Sequence, residues 1–407
     1  MTATVAGATD AETPPADPSS ETPLSERPES GPSLRDREAA RVFALAIDLH
    51  RRGEFDQAVS AYSRALNLNP ANADIYNNLG VCLRAQGKLA AAITCYRRAL
   101  VLKPNDAGVL SNLGNTLRVM SHFNQAIVSL SKAVRMAPKS PEAVYNLGLA
   151  LRDAGDSEKA QTCFESALTL RNDYAACHMD LGTTLMMKGE LTKGFEEFEW
   201  RHRLPQVPPV DDSEKPRWDG SALDGKTILI RQEGGLGDLL QFARYIPLVK
   251  ERKANIVVEC HAKVSRLIAA MPGVDKVVML GGQLPPYDVQ IPIMSLPHVL
   301  APGDDTLAST VPYLKPPEQS TIQLPPSHGR QMRTGLCWSP GVPSKGAVDR
   351  SCPLSRLIEV LAIPGVTAFS LQTGERAADR GAEACDALLS DVGSRLTDLA
   401  DLAAAIE

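Results

Sequence analysis

Apolar and small side chains recur along residues 39 to 200 in columns 34 positions apart, framed by Pro70, Pro104 and Pro138. Residues 73 to 106 carry Tyr76, Leu79, Gly80, Leu83, Ala92, Tyr96, Ala99 and Pro104. Residues 39 to 72 offer Val42, Leu45, Ala46, Leu49, Ala58, Tyr62, Ala65 and Pro70; residues 107 to 140 offer Leu110, Leu113, Gly114, Leu117, Ala126, Leu130, Ala133 and Pro138. The fourth copy, 141 to 174, keeps Val144, Leu147, Gly148, Leu151, Ala160, Phe164 and Ala167, with Asn172 in place of the proline. A fifth begins at 175 with Leu181, Gly182, Leu185, Gly194 and Phe198 and runs into Trp200. Such a period predicts one helical hairpin per copy, stacked on its neighbours to bury a shared core. Gly80, Gly114 and Gly148 are expected to face Ala92, Ala126 and Ala160, small residues that let two helix axes approach. Gly53, Gly87 and Gly155 fall where the turn between helices needs a permissive backbone.

These columns resemble the tetratricopeptide repeat, and five copies imply an α-solenoid with a concave face. Two polar columns keep the same period: Asn78, Asn112 and Asn146 at the sixth position, followed by Asp180, and Arg84, Arg118 and Arg152 at the twelfth. Positions 5 and 12 lie about 20° apart around a helix and position 6 about 100° from position 5, so both columns can border one groove. Asparagine there can hydrogen-bond the backbone of an extended peptide, and arginine can take a carboxylate in bidentate geometry. The plainer alternative makes the asparagine a general feature of the repeat and the arginine a solvated surface residue.

After residue 200 the period stops. Pro205, Pro208, Pro209 and Pro216 block helix and predict a linker over 205–225. From Lys226 short β-branched runs alternate with amphipathic stretches: strands at 227–231, 255–259, 276–280 and 287–293, and helices from about Asp238 to Arg252 and from Ala262 to Ala270. That order predicts a parallel sheet with helical crossovers. A second start follows, with strands at 333–339 and 367–372, a helix from Leu354 to Ala362 and a terminal apolar helix. Between the first strand and its helix stands GGLGD, Gly234 to Asp238. Glycines there let backbone N–H groups reach an anionic ligand at a helix N-terminus. Leu240 stands where a dinucleotide fingerprint needs its last glycine, and no GK[ST] follows for a Walker loop. A tight turn without a ligand and a phosphate or sugar site both fit.

Composition narrows the classes. The 407 residues suffice for two or three domains, and the 43% hydrophobic and 22% charged shares are those of a globular chain without a membrane span. A net charge of −5 and 5% aromatics argue against nucleic acid as a partner. The eight cysteines form no CxxC pair and the seven histidines no HxxxH pair, so they are expected to be reduced thiols, with no metal site and no cofactor. Residues 1–37, rich in Pro, Ser, Thr, Glu and Ala, lack the apolar residues needed to order them and lack a secretory signal pattern, which points to a disordered tail and a cytoplasmic chain.

Beyond the repeats, GFEEFEWRHRL (194–204), PRWDGSALDGKTILIRQEGGLGDLLQFARY (216–245), RTGLCWSP (333–340) and RSCPL (350–354) together resemble bacterial tetratricopeptide proteins with a C-terminal domain similar to glycosyltransferase family 9, the heptosyltransferases. The resemblance implies two Rossmann-like lobes of a GT-B fold, here 226–318 and 330–407, behind a repeat array at 38–204. It implies sugar transfer from a nucleotide sugar to a protein or glycan that the array recruits. Carried onto this chain, Asp238 would be the base for the acceptor hydroxyl, and Gly234, Gly235 and Gly237 would let substrate approach the backbone. Ser339, Lys345 and Arg350 would neutralise the diphosphate. The plain alternative for Asp238 is a first-turn carboxylate that complements the helix dipole, and for Lys345 and Arg350 a solvated loop. The second lobe stops short of the family's remaining β/α units, so the chain is expected to be either a truncated transferase or a non-enzymatic adaptor that kept its array.

Overall fold

In the computed structural model, residues 33–205, 207, 215–300, 311–318, 322, 324, 332–339, 351–382, 385 and 388–407 are described. The chain divides into two units, 1–102 and 103–407. Unit 1 holds two helical hairpins, α1 (Leu34–Arg51) with α2 (Phe55–Leu68), and α3 (Ala73–Ala85) with α4 (Leu89–Leu102). Unit 2 opens with three more: α5 (Ala107–Val119) with α6 (Phe123–Met136), α7 (Pro141–Asp153) with α8 (Ser157–Leu170), and α9 (Ala175–Met187) with the short α10 (Leu191–Phe198). Side chains that seek backbone partners mark several starts. Asn72, Asp106 and Ser140 cap α3, α5 and α7 by accepting their first-turn N–H groups, and Pro141 occupies the first turn of α7, where its missing N–H has no role.

The glycine column packs differently from expectation. A Cβ on Gly80 would sit 2.6 Å from the Tyr96 ring, one on Gly114 2.4 Å from Leu130, and one on Gly148 2.7 Å from Phe164. Ala92, Ala126 and Ala160 are fully buried, but the nearest atoms to each glycine belong to the large residue one turn further along the second helix. The glycine thus makes a socket for a fully buried Tyr, Leu or Phe. In the fifth hairpin Gly182 and Gly194 meet each other's backbone, so neither position has room for a side chain. Gly53, Gly87, Gly155 and Gly189 adopt φ between +76° and +89°, and in the third copy Ser121 takes the same left-handed turn at φ +60°.

The stretch expected as linker closes on a buried segment. Trp218 and Leu223 enter the core of the first α/β lobe, and the backbone of Trp218 pairs with Gln290 at 2.8 Å. Phe195 of α10 packs in the same core, edge-on to Phe242 and Tyr245. The last hairpin and the first lobe therefore share one apolar core. The lobe's sheet is parallel, in the order β3-β2-β1-β4, with β1 Thr227–Arg231, β2 Asn255–Cys260, β3 Lys276–Met279 and β4 Val289–Pro292. Alternation along β1 sends Ile228 and Ile230 into the main core and Leu229 to a smaller cluster with Val257 and Val278. The single helix expected from Asp238 to Arg252 is two, α11 (Leu236–Ala243) and α12 (Ile246–Lys250), because Pro247 needs a first-turn position. The helix α13 (Ala262–Ala269) follows β2, and α14 (Leu296–Leu300) follows β4.

The second lobe carries a parallel sheet in the order β5-β6-β7, with β5 Met332–Leu336, β6 Val366–Ser370 and β7 Ser390–Asp391. The two-residue β7 is too short to register as a β-branched run in the sequence. Two longer helices, α15 (Leu354–Leu361) and α17 (Leu399–Ile406), flank a short α16 (Asp379–Ala382). α17 packs against α13 of the first lobe, and Arg266 on α13 reaches Asp398 at 3.1 Å and Asp401 at 3.2 Å.

Candidate functional site

The repeat period places the asparagine and arginine columns on the first helix of each hairpin. In unit 1, Asn78 and Arg84 lie half-buried on α3, and neither side chain has a hydrogen-bond or ion-pair partner among the described residues. Ahead of them, His50 and Arg51 end α1. The His50 Nδ1 lies 3.3 Å from the Tyr62 hydroxyl, and its ring meets Phe55 and Tyr62 edge-on. Burial pushes the Tyr62 hydroxyl up to about 12.

In unit 2 the arginine column is internally engaged. Arg118 donates to Asp153 at 2.5 Å, and Arg152 donates to Asp180 at 2.5 Å and reaches Asp153 at 3.4 Å. Tyr145 donates its hydroxyl to Asp180 at 2.6 Å, and burial together with that carboxylate holds its pKa far above the ordinary range. The result is a ladder, Arg118–Asp153–Arg152–Asp180–Tyr145, whose charges compensate one another. Asn146 remains half-buried with no side-chain partner among the described residues, and the buried Oδ1 of Asn115, one turn along α5 from Asn112, accepts no hydrogen bond. The amides therefore offer open donors and acceptors in this unit, while Arg118 and Arg152 act on their neighbours.

Past α10 a 3-10 turn (Glu199–Arg203) carries a network the sequence did not announce. Arg201, 2% exposed, holds Glu233 through two parallel hydrogen bonds of 2.8 Å and also binds Glu199 at 2.5 Å and Ser295 Oγ at 2.7 Å. Burial opposes its charge, but the bonds to Glu233 and the charges of Glu199 and Glu233 outweigh it and raise its pKa. His202 beside it lies 3.3 Å from Ser295 Oγ, with a buried Nδ1 that has no partner. Burial, then the Arg201 charge, lowers its pKa. Glu233 directly precedes the glycine turn, so Arg201 ties the end of the helical hairpins to that turn.

At the turn itself, Asp238 occupies the third position of α11 and accepts the Gly235 N–H at 2.7 Å. This is the arrangement of a first-turn carboxylate that closes a helix N-terminus. Gly234 is required there, by φ +71° and because a Cβ would lie 2.5 Å from the Asp238 carboxylate. At Gly237 a Cβ would meet nothing within 4 Å, so packing does not explain that glycine.

Leu236 of the turn and Lys263 on α13 line a cleft of about 400 Å³ with Ser339, Gln372, Thr397 and Asp398 of the second lobe. Gln372, 1% exposed, staples the loop after β5 by accepting the N–H groups of Trp338 and Ser339 and donating to the Ser339 carbonyl. The Ser339 hydroxyl lies 3.0 Å from that of Ser351. Lys263 has no ion-pair partner among the described residues, and nothing in its sequence context singled it out. Lys345 and Arg350 lie outside the described residues. No group of three His, Cys, Asp or Glu side chains among the described residues could hold a metal ion. Burial pushes the Cys82 and Cys260 thiols up to about 11 and Cys177 to about 12, which leaves them protonated and inert near neutrality.

No curated protein matches the chain. Similar solved structures include MamA 41-end from Desulfovibrio magneticus RS-1 (22% identity, 42% of this chain and 98% of that one, TM-score 0.39). The PilF protein of Pseudomonas aeruginosa is 24% identical over 41% of this chain and 78% of its own, with a TM-score of 0.38. YrrB, a TPR protein with an unusual peptide-binding site, is 19% identical over 42% of this chain and 92% of its own, with a TM-score of 0.36. Residues 43–107, 111–160 and 145–199 match the family model described as tetratricopeptide repeat, and the N-terminal part of the chain accordingly carries tetratricopeptide repeats.

Proposed function

We propose that the repeats capture an extended segment of a partner protein and that the α/β part is a glycosyltransferase-like pair of lobes acting on what the repeats hold. The observation that carries the first half is the unpartnered amides at the repeat's sixth position, Asn78 in unit 1 and Asn146 in unit 2. Planar donor–acceptor groups suit the backbone of an extended chain. Asn146→Ala is expected to weaken capture of a peptide irrespective of its side chains, read by fluorescence anisotropy.

The second half rests on the cleft between the lobes. Its lining joins an unpaired Lys263 to the Ser339 loop, with the open backbone of Gly237 next in sequence to the lining residue Leu236, a setting suited to the diphosphate of a nucleotide sugar without a metal cofactor. Lys345 and Arg350 are proposed to add charge there. Asp238 is proposed as the base, with one carboxylate oxygen engaged by Gly235. Calorimetry with UDP-, GDP- and ADP-sugars tests it: Lys263→Ala is expected to abolish binding and Gly237→Ala to weaken it while unfolding midpoints stay unchanged. A specific observation favours a second reading, an adaptor without transfer, since the Asp238–Gly235 bond already accounts for the carboxylate as a helix cap. Absence of nucleotide-sugar binding with retained peptide capture supports that alternative. No helix among the described residues is long and apolar enough to cross a membrane, and a cytoplasmic setting is part of the proposal.

A further inference from the structure

Unit 1 contains a recess of about 580 Å³ at the joint of its first hairpin, lined by Ile47, His50, Arg51, Phe55, Tyr62 and Asn78. The nearby carboxylates have their own partners: Arg52 engages both Asp48 and Glu54, and Asp56 accepts the Gln86 amide at 2.7 Å. Arg51 is exposed and meets no carboxylate among the described residues. His50 is fixed by the Tyr62 hydroxyl and by two edge-on rings, which leaves its Nε2 without a partner among the described residues. The unpartnered Asn78 amide completes a set of donors around an aromatic floor, of which Tyr62 is fully buried. In unit 2 the positions equivalent to His50, at 118 and 152, hold arginines already paired with Asp153 and Asp180.

We infer that this recess receives a glutamate or aspartate side chain of an extended, acidic partner segment. Arg51 supplies the uncompensated positive charge, the His50 Nε2 a hydrogen bond, and Asn78 a contact to the partner's main chain. Ile47 and Phe55 cover the apolar part of the acidic side chain. Because the recess opens along the surface, the partner chain passes through it, so a side-chain carboxylate rather than a chain terminus is the group recognised. The inference rests on the peptide-capturing reading of the repeats and names its partner class.

The test uses the full chain and two short peptides, both acetylated and amidated, one with glutamate at alternate positions and its glutamine twin. The glutamate peptide is expected to bind about tenfold more tightly at low salt, as a charge-assisted contact should. Arg51→Glu, at an exposed position that leaves helical circular dichroism unchanged, is expected to erase that preference. Asn78→Ala, which removes the main-chain contact, is expected to weaken both peptides alike. Equal binding of the two peptides, or a preference that survives Arg51→Glu, overturns the inference while the peptide-capturing reading stands. Failure of both peptides to bind at millimolar concentration overturns both.

Discussion

The hairpins of unit 1 and those of unit 2 share one packing scheme and differ in what they do with charge. Gly80 beneath Tyr96 and Gly148 beneath Phe164 are the same socket. On the first-helix faces, however, unit 2 closes its arginines onto Asp153 and Asp180, whereas unit 1 leaves Arg51 and Arg84 without carboxylates among the described residues. A repeat constrains the columns that fill the core and leaves the surface columns able to diverge into either self-compensating ladders or open recognition sites.

If the packing is shared, its energetics should be shared. Tyr96→Ala and Phe164→Ala each empty a socket under a glycine with no Cβ to refill it, and each is expected to cost about 3–5 kcal/mol in denaturant unfolding. A large difference between the two units would break the equivalence. The charges should separate the units instead. Arg152, with a side chain 17% exposed and bonds to two carboxylates, is expected to cost about 1–3 kcal/mol on Arg152→Ala, and Arg84→Ala less than about 0.5 kcal/mol. Equal losses at the two positions would contradict the contrast. Ser121 sharpens it at the turns, since it stands at φ +60° where Gly53, Gly87 and Gly155 occur in the other copies. Ser121→Gly is expected to gain up to about 1 kcal/mol, the relief of left-handed strain exceeding the added freedom of the unfolded chain.

The smallest expected effect is a slope with pH. His202 has a folded pKa below its ordinary 6.5, so the unfolded chain takes up a proton at a pH where the folded one does not. Stability is therefore unaffected above about 6.5 and falls as pH drops from there toward the folded value. His202→Gln is expected to flatten that slope in urea midpoints, placing acid sensitivity at the junction in unit 2.

The sequence made the hairpins legible because their columns are packing columns, and packing recurs with the period. It misled on the glycine partner. Ala92, Ala126 and Ala160 are small and periodic, but a glycine on one helix accommodates a large residue on the other rather than a second small one. The ion-pair ladder was hidden because its members are 28 and 35 residues apart and only Arg118 and Arg152 repeat; Asp153 and Asp180 stand in different columns. The Arg201–Glu233 pair was hidden for the same reason, linking a helix end to a strand end 32 residues on. Trp218 was concealed by the prolines around it, which mark extended backbone but say nothing about whether that backbone is buried. At the glycine turn both readings of Asp238 were available, and its bond to Gly235 gives physical content to the capping one.

The contrast between open and closed charge is tested most directly by measuring acidic-peptide affinity and unfolding stability side by side in Arg51→Glu and Arg118→Glu. Arg51→Glu is expected to lower affinity about tenfold with stability unchanged, and Arg118→Glu to lower stability with affinity unchanged. The reverse pattern, with Arg118→Glu weakening the acidic peptide and Arg51→Glu leaving it bound, would contradict it.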